Sequence, residues 1–403
     1  MAKAKYKVSK LIIEIQKYTI MIEKIKNKIV DLAFKRIMRY KEKAADQMYI
    51  KKTRASYAKL KNQKKLSREQ ISEIQDFFRN TLGHTVPVDW HQYFYSRTGN
   101  YSKLYIPSSE YKNHIIGRLN VYPFHLAYND KNMTDVTLPN THQPKVFLKN
   151  MCGYFYFEGK PVTKDEALDL CKDLGEVIIK PSLTGRGVGV KKVSIANGKI
   201  DGGSQSLSDL LKEYNADYLI QKVIIQHEGM SALNPSSINT IRVVTYRSGM
   251  EINAVYTVIR IGRNGMNIDN ESAGGISAII RPDGTIGKFA YGAPGVDKIE
   301  FTDTGIRLEG YKVPSFDKAI ELVKFSHMQL PYFNLIGWDI AIEEDGSPIM
   351  IELNLNPDLS QSANGPAFGD YTETILKDAR SRNDTWTPLT TRCMNKRNYK
   401  TKH

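Results

Sequence analysis

The stretch IGWDIAIEEDGSPIMIELNLNP, residues 336–357, predicts two β-strands joined by a tight turn. Apolar residues fill both halves, and Glu344-Asp345-Gly346 has the composition of a hairpin turn. Asp339 interrupts the first apolar strand, and Glu352 and Asn354 interrupt the second. Because side chains two residues apart leave the same face of a strand, Glu352 and Asn354 share a face that Asp339 can reach from the neighbouring strand.

These three side chains predict a metal site. Carboxylate and amide oxygens are hard ligands of the kind that Mg²⁺ prefers, and Mg²⁺ keeps water or phosphate as its remaining ligands. The alternative is a solvated acidic edge. Since Asp339 and Glu352 lie within otherwise apolar strands, their burial would require a partner or a metal ion, which favours the magnesium site.

A second motif, VIIKPSLTGRGVGVKKVS at residues 177–194, predicts a nucleotide-binding loop. An apolar strand delivers Lys180 and leads into a loop with Gly185, Gly187 and Gly189, after which another strand follows. Glycines at every second position let the backbone approach phosphate oxygens, and the lysine supplies a point charge. The P-loop and the dinucleotide-binding fingerprint both require a helix after the glycines, whereas VGVKKVS is a β pattern. A flexible hairpin without a ligand is the alternative.

Arginines on two further strands predict an anion clamp. The segment SSINTIRVVTY, residues 236–246, carries Asn239 and Arg242 at the head of a strand, and Arg260 lies in the next strand. An arginine inside an otherwise apolar strand is typical of a phosphate or carboxylate contact. A structural salt bridge is an equal alternative for either arginine taken singly.

The order of these motifs resembles that of the ATP-grasp superfamily, and the residues within them resemble those of its sugar-transfer-associated branch. The resemblance spans about residues 84–375 and leaves residues 1–65 outside. One position departs from the pattern, since a Glu often accompanies the hinge Gln, whereas Lys222 follows Gln221 here. The matching residues are Asp130 to Asn132, Lys180 to Gly189, Gln221 to His227, Asn234 to Arg242, Arg260 to Gly262, Asp269, Asn270, Gly274, Gly275, Trp338, Asp339 and Glu352 to Asn354.

The resemblance implies an α+β fold, the ATP-grasp fold, in which two α+β sub-domains clasp ATP between antiparallel sheets. It also implies an ADP-forming ligase that activates a carboxylate as an acyl phosphate for attack by an amine. An amino acid and a uronic acid of a polysaccharide or its precursor are the implied substrates. The implied catalytic residues are Lys180, Arg242 and Arg260, and the implied ligands of Mg²⁺ or Mn²⁺ are Asp339, Glu352 and Asn354. The implied ATP contacts are Lys131, Lys180, Thr184, Gly185, Arg186, Gly187, Val188, Gly189, Gln221, Lys222, Val223 and Asn239.

Two other functions share these motifs. A kinase that phosphorylates a sugar or a similar hydroxyl would use the same ATP site, and no motif identifies the acceptor. A non-catalytic nucleotide-binding scaffold would have no need of the whole set formed by Lys180, Arg242, Asp339, Glu352 and Asn354.

The charge of the chain is concentrated at its amino end. The 403 residues carry a formal net charge of +15, and residues 1–65 hold 20 Lys and Arg against 5 Asp and Glu. Since the remaining residues balance, the basic character gives no argument for a specific nucleic-acid partner. Three scattered cysteines (Cys152, Cys171 and Cys393), together with the lack of a signal peptide or a long apolar run, predict a cytoplasmic protein.

Within this extension, residues 8–32 predict an amphipathic helix with an apolar stripe, because apolar residues recur at alternating spacings of three and four. Packing of this stripe on the protein's own body is the favoured interpretation. A two-stranded coiled coil is weaker because its flanking positions carry no complementary charges, and a basic helix on the anionic inner face of a membrane is the third interpretation. The stripe comprises Val8, Leu11, Ile15, Tyr18, Ile22, Ile25, Ile29 and Leu32, and Lys3, Lys10, Lys17 and Lys24 recur every seven residues on another side.

Changes in composition predict five segments. They are a basic helical extension at 1–65, an N-terminal sub-domain at 66–150, a small ATP-grasp sub-domain with the glycine loop at 151–222, a large sub-domain with the metal site at 223–378, and a basic tail at 379–403. Helices are predicted from Ser67, at 164–174 and at 314–329, and a second hairpin turn is predicted at Pro282-Asp283-Gly284.

Overall fold

Two antiparallel sheets organise the chain in the computed structural model, which describes residues 2–185, 187–265, 269, 274–296 and 298–382. Within the first helix, side chains are described from Tyr18 onward except at positions 20, 31, 34, 35, 38, 39 and 42. The predicted contact of Arg186 and the predicted tail from residue 383 lie outside the described residues. The mixture of helices and antiparallel sheets confirms the predicted α+β class.

Helices make up most of the first third of the chain. In order they are α1 Ala2–Ala58, α2 Arg68–Thr81, α3 Asp89–Thr98, α4 Ser108–Glu110, α5 Ile116–Leu119, α6 Tyr122–Asn129, α7 Thr134–Thr137, α8 Lys164–Cys171, α9 Leu207–Tyr214, α10 Glu228–Ser231, α11 Phe316–Met328, α12 Gln361–Asn364 and α13 Thr372–Ser381. A π-helical turn, Tyr111–Ile115, joins α4 to α5, and 3₁₀ turns lie at Lys131–Met133 and Gly369–Tyr371. Ser67 caps α2 in a capping box with Gln70, and α8 and α11 lie within the predicted ranges.

The first sheet is built from β1 Val146–Met151, β2 Tyr154–Phe157, β3 Lys160–Val162, β4 Gly175–Pro181, β5 Lys191–Ala196, β6 Lys199–Ile200 and β7 Tyr218–Lys222. Its strand order is β3-β2-β1-β7-β4-β5-β6. One face packs against α8 and α9 through an apolar core that includes Val177, Ile179 and Ile220. Since strand side chains alternate between faces, Ile178 and Lys180 leave the opposite face of β4.

The second sheet contains β8 Thr240–Ser248, β9 Glu251–Ile261, β10 Ile276–Ile280, β11 Ile286–Tyr291, β12 Leu335–Ile342 and β13 Pro348–Asn354, in the order β11-β10-β9-β8-β12-β13. The two predicted hairpin turns connect β10 to β11 and β12 to β13, which confirms both. Every residue of β12 is buried, because α11 covers one face of the sheet while α2 and α13 cover the other.

The carboxyl end of helix α1 contacts the body. Ile50 packs in an aromatic core with Trp90 and Phe94, and the Arg54 guanidinium donates a hydrogen bond to Asp89 with Nε–Oδ1 at 2.6 Å. Asn113 donates another to Asp46, with Nδ2–Oδ1 at 2.7 Å. Further along the helix, the described stripe residues Tyr18, Ile22, Ile25, Ile29 and Leu32 are 47–66% exposed. The favoured interpretation of the stripe, packing on the body, is therefore wrong for these residues. No helix in the described part of the chain has a stretch long and apolar enough to cross a membrane.

Candidate active site

A cleft of about 410 Å³, including its opening to solvent, lies between the two sheets. Lys180, Leu219 and Gln221 line it from the first sheet, and Met350 and Glu352 line it from the second. Leu219 pairs with Lys180, and Gln221 pairs with Ile178, so these side chains share the face of the first sheet that lies opposite its helices. The arrangement gives a cleft with cationic and acidic groups at one end and apolar groups along its walls.

Lys180 is the cation that β4 delivers to this cleft. Its residue is 7% exposed, and burial lowers the pKa of its ammonium group from the ordinary 10.5 to about 8, partly offset by the charge of Glu352. A desolvated ammonium facing an open cleft provides a strong attraction for an anion such as a phosphate group.

Lys131 approaches the same place from a different segment. The side chain of Asp130 accepts a hydrogen bond from the backbone of Asn132 and so forms the 3₁₀ turn that presents Lys131. The Lys131 ammonium donates to the carbonyl of Thr184 at 2.6 Å and lies 3.3 Å from Glu352 Oε1. This lysine therefore connects the start of the glycine loop with the acidic strand β13.

The glycine loop needs its glycines for two different reasons. Gly189 has a φ of 75°, and a Cβ there would lie 2.8 Å from Cγ of Pro181, so that another residue would be strained as well as crowded. A Cβ on Gly185 would meet nothing within 4 Å, which leaves room for a ligand against the backbone. Thr184 closes the loop by donating from Oγ1 to the carbonyl of Val188 at 3.0 Å, and Gly187 between them has a φ of 72°.

The segment expected to contact adenine and ribose is the end of β7. Gln221 is 5% exposed and lines the cleft, Lys222 is exposed, and Val223 is half-buried. The backbone N–H of Lys222 donates to the carbonyl of Lys145, which ties this segment to the approach of β1. Of the three, Gln221 presents its side chain to the cleft.

The predicted metal ligands meet on the second sheet. Asp339 pairs with Glu352 across β12 and β13, and Asn354 Nδ2 lies 3.4 Å from Asp339 Oδ2. The register shifts immediately afterwards, so that Ile340 pairs with Met350. Glu352 shares the face of Asp339 because the two are directly paired, and the irregularity beyond them changes the alternation along β13 before Met350, as β-bulges do.

Arg242 and Arg260 surround the carboxylate of Asp339. Arg242 forms a two-pronged ion pair with it, with Nε–Oδ1 at 2.5 Å and Nη2–Oδ2 at 2.7 Å. Arg260 Nη1 lies 3.4 Å from Oδ1. Burial acts to raise the pKa of Asp339, but Arg242 and Arg260 outweigh it and hold that pKa below its ordinary value. The structure thus shows the ion pair that was one of the two sequence alternatives, and the anion clamp stays a prediction.

Asp269 is a third acidic residue in this neighbourhood, and sequence analysis gave it no role. It accepts a hydrogen bond from Thr240 Oγ1. Burial raises its pKa to about 6, while Arg260 and the hydrogen bond from Thr240 act in the opposite direction. Its place in the matched motif was the signal available in the sequence. Asp269 follows the end of β9 in the sequence, and its contact with Thr240 is seen only in the fold.

Asn239 has a different position from the other predicted ATP contacts. It is fully buried, and its amide donates to the carbonyls of Met230 and Asn234, both at 2.9 Å. Its Oδ1 accepts from the backbone of Gly262 at 3.2 Å. Asn239 thus fixes the chain that leads into β8, and through it the position of Arg242, instead of presenting its amide to the cleft.

The types of donor present at this place are those that a magnesium ion prefers. Asp339 and Glu352 offer carboxylate oxygens from paired strand positions, and Asn354 adds an amide beside them. Two carboxylates and an amide suit a cation that retains phosphate or water ligands. Within the described ranges, no cluster of three or more His, Cys, Asp or Glu residues has a geometry that could hold a metal ion. Both oxygens of Asp339 already accept hydrogen bonds from Arg242.

The family model for sugar-transfer-associated ATP-grasp proteins matches residues 111–375. The chain belongs to this family of ATP-grasp proteins, and its fold is the ATP-grasp fold. The match includes every predicted site residue, and it ends before the last part of α13.

Solved structures with similarity to the chain are distant. An N5-carboxyaminoimidazole synthase from Aspergillus clavatus is 12% identical over 59% of this chain and 46% of its own, with a TM-score of 0.33. The ATP-grasp ligase PsnB is 12% identical over 66% of this chain and 64% of its own, with a TM-score of 0.35. A D-alanyl-alanine synthetase A from Vibrio cholerae is 12% identical over 65% of this chain and 67% of its own, with a TM-score of 0.39. The chain thus spans less than two thirds of the length of the first two. No curated protein matches the sequence significantly.

Proposed function

We propose that the protein is an ATP-dependent, ADP-forming ligase that joins a carboxylate to an amine through an acyl phosphate. Membership of the ATP-grasp family supports use of ATP. The observation that carries the proposal is the charged end of the cleft. There, Lys180 and Lys131 lie opposite Glu352, and the pair formed by Arg242 and Asp339 continues the row along the second sheet.

In this function, the chain's own cations bind and orient the phosphates. Lys180 and Lys131 hold the α- and β-phosphates, and the loop with Gly185 and Gly187 covers them. Asp339, Glu352 and Asn354 would hold Mg²⁺, with Mn²⁺ as a further candidate, and the ion would supply charge neutralisation for the phosphate groups. The exclusion of water by the closed loop protects the acyl phosphate from hydrolysis.

Arg242 and Arg260 stabilise the transferring group. The substrate carboxylate attacks the γ-phosphorus, the bond to the β-γ bridging oxygen breaks, and ADP leaves. Negative charge spreads over the phosphoryl oxygens during this step, and guanidinium groups held in place stabilise it without reorganising. An amine then attacks the acyl carbon, inorganic phosphate leaves and the amine loses a proton, which gives an amide.

The substrates follow from the family rather than from a pocket. The sugar-transfer association of the family supports a uronic acid of a polysaccharide or its precursor as the carboxylate, with an amino acid or similar amine as the acceptor. We expect the reaction in the cytoplasm, where ATP is available.

Product analysis tests the proposal. The full chain is incubated with ATP, MgCl₂ and pairs drawn from a panel of uronic acids and amino acids, and ADP, phosphate and amide are quantified. The expected result is ADP and phosphate release that requires both partners of one pair. The Glu352→Gln variant should be inactive, and Glu344→Gln, which removes the same charge from the exposed turn of the same hairpin, should be active. A phosphorylated sugar formed without an amine would identify a kinase instead, and AMP with pyrophosphate would exclude the acyl-phosphate route.

A further inference from the structure

From Tyr18 to Leu32, helix α1 presents an apolar seam that the body does not cover. The helix is continuous from Ala2 to Ala58, and residues between 46 and 58 contact the body. In the described part of the seam, Ile22, Ile29 and Leu32 are each more than 60% exposed. Val8, Leu11 and Ile15 continue the spacing in the sequence, although their side chains lie outside the described residues.

We infer that this seam pairs with the same seam of a second copy of the chain, in a parallel two-stranded coiled coil over residues 8–32. The alternating spacings of three and four make a heptad repeat with its first core position at Val8 and its second at Leu11. Residues 8–32 hold about three and a half heptads, within the three to four at which such a repeat indicates a coiled coil.

The identity of the core residues selects the two-stranded, parallel form. The first core position of each heptad is occupied by Val8, Ile15, Ile22 and Ile29, all β-branched. The second is occupied by Leu11, Tyr18, Ile25 and Leu32, two of them leucine. β-branched residues at the first position with leucine at the second favour two parallel strands.

The charges of the helix are compatible with this pairing. In a parallel dimer the flanking positions meet as Glu14 with Thr19, Met21 with Lys26, and Lys28 with Ala33 of the other helix, so that no two like charges are opposed. The lysines that recur every seven residues, such as Lys17 and Lys24, fall on an outer position and face solvent. The lack of complementary charges therefore removes a source of specificity but adds no repulsion.

The area available is sufficient for a stable dimer. A buried aliphatic side chain removes roughly 60–120 Å² of apolar surface from water. Eight seam residues from each helix would then bury on the order of 1,000–2,000 Å², the range of stable protein interfaces. A lipid-bound helix would instead need a wider, uninterrupted apolar face, and here Glu23, Lys26 and Asn27 lie between seam residues.

The first test measures the mass of the full chain in solution by light scattering after size-exclusion chromatography. A dimer has twice the 45.8 kDa of one chain. Ile22→Asp/Ile29→Asp should give a monomer that still turns over ATP, because neither residue contacts the body or the cleft. Lys24→Asp/Asn27→Asp, which places acidic residues on the outer side of the same helix, should remain dimeric. A monomeric wild-type chain, or a trimer or tetramer, would overturn the inference.

The second test determines whether the two helices pair in parallel, and whether the seam binds an anionic membrane instead of a second chain. Ile29→Cys should form a disulfide-linked dimer on mild oxidation, because parallel helices place this position opposite itself, and Asn27→Cys should not exceed the background of the wild-type cysteines. Absence of the cross-link in a dimer would contradict the parallel arrangement. Wild-type monomer that sediments with vesicles of phosphatidylcholine and phosphatidylglycerol, but not with phosphatidylcholine alone, would show that the seam binds an anionic membrane instead.

Discussion

Arg242 and Asp339 face each other across β8 and β12 and share two hydrogen bonds of 2.5 and 2.7 Å. Their side chains are 5% and 10% exposed, so the pair is almost wholly removed from water. One member is the proposed stabiliser of the transferring phosphoryl group and the other is a proposed metal ligand. Because the pair is buried and joined by two hydrogen bonds, loss of one member leaves the other without its main partner.

We expect loss of either partner alone to destabilise the fold. Asp339→Ala leaves the Arg242 guanidinium buried without its main counter-charge, and the free energy of unfolding should fall by about 3–5 kcal/mol. The double variant Arg242→Met/Asp339→Leu should recover much of this loss, since it removes both charges from the interior. Urea denaturation of the two single variants and the double variant measures the coupling. Additive losses would show that the pair does not act as a unit.

Glu352 should affect turnover with little effect on the fold. Its side chain is 25% exposed, and it forms an ion pair with Lys131 at 3.3 Å. Glu352→Gln should lower turnover by roughly 100-fold or more and raise the Mg²⁺ concentration needed for half-maximal rate, while the midpoint of thermal unfolding stays close to that of the wild type. A Mg²⁺ titration of ATP turnover checks this, with Glu344→Gln as the control. Unchanged activity would place the metal elsewhere.

Activity with ATP should decline in alkaline solution because of Lys180. Burial lowers the pKa of this ammonium group to about 8, so the free protein loses the charge that binds phosphate as the pH rises through that value. kcat/KM for ATP, which reports the free enzyme, should fall by about tenfold per pH unit above the pKa. Lys180→Arg should retain its charge and shift the decline to higher pH.

The same lowered pKa has the opposite sign for stability. An unfolded chain keeps the Lys180 proton up to its ordinary pKa of 10.5, whereas the folded chain releases it near 8. Since the unfolded state then binds more protons between these values, the contribution of Lys180 to the free energy of unfolding increases with pH in this window.

The kinetic prediction has its own contradicting outcome. If kcat/KM for ATP declines at the same pH in Lys180→Arg as in the wild type, the titrating group is not Lys180.

The two glycines Gly185 and Gly189 should respond differently to alanine. Gly189→Ala combines a φ of 75° with a contact of 2.8 Å to Pro181, and should cost about 1–3 kcal/mol of stability in the first sheet. Gly185→Ala meets no protein atom within 4 Å, so it should leave stability unchanged and raise the KM for ATP if phosphate approaches the backbone there. Thermal unfolding and ATP kinetics of both variants separate the two effects. Equal KM values in Gly185→Ala and wild type would exclude that approach.

Local patterns predicted the strands, the turns and the shared face of Glu352 and Asn354, because each depends on neighbouring residues. The ion pair of Arg242 with Asp339 depends on β8 lying beside β12, although 97 residues separate the two side chains in the sequence. The register shift after Asp339 likewise has no signal in strand alternation.

The apolar stripe of α1 shows the same limit. Its period indicated that the stripe needs a partner, and only the fold showed that the described part of it, from Tyr18 to Leu32, does not find that partner on the body.

Transfer of an oxygen isotope tests the central claim most directly. Once the panel has identified a carboxylate substrate, its carboxyl group is labelled with oxygen-18 and the reaction is run with unlabelled ATP and the amine. Formation of an acyl phosphate and its displacement by the amine predicts that one labelled oxygen per turnover appears in inorganic phosphate, with unlabelled ADP. Unlabelled phosphate, or label found in AMP, would contradict the proposed reaction.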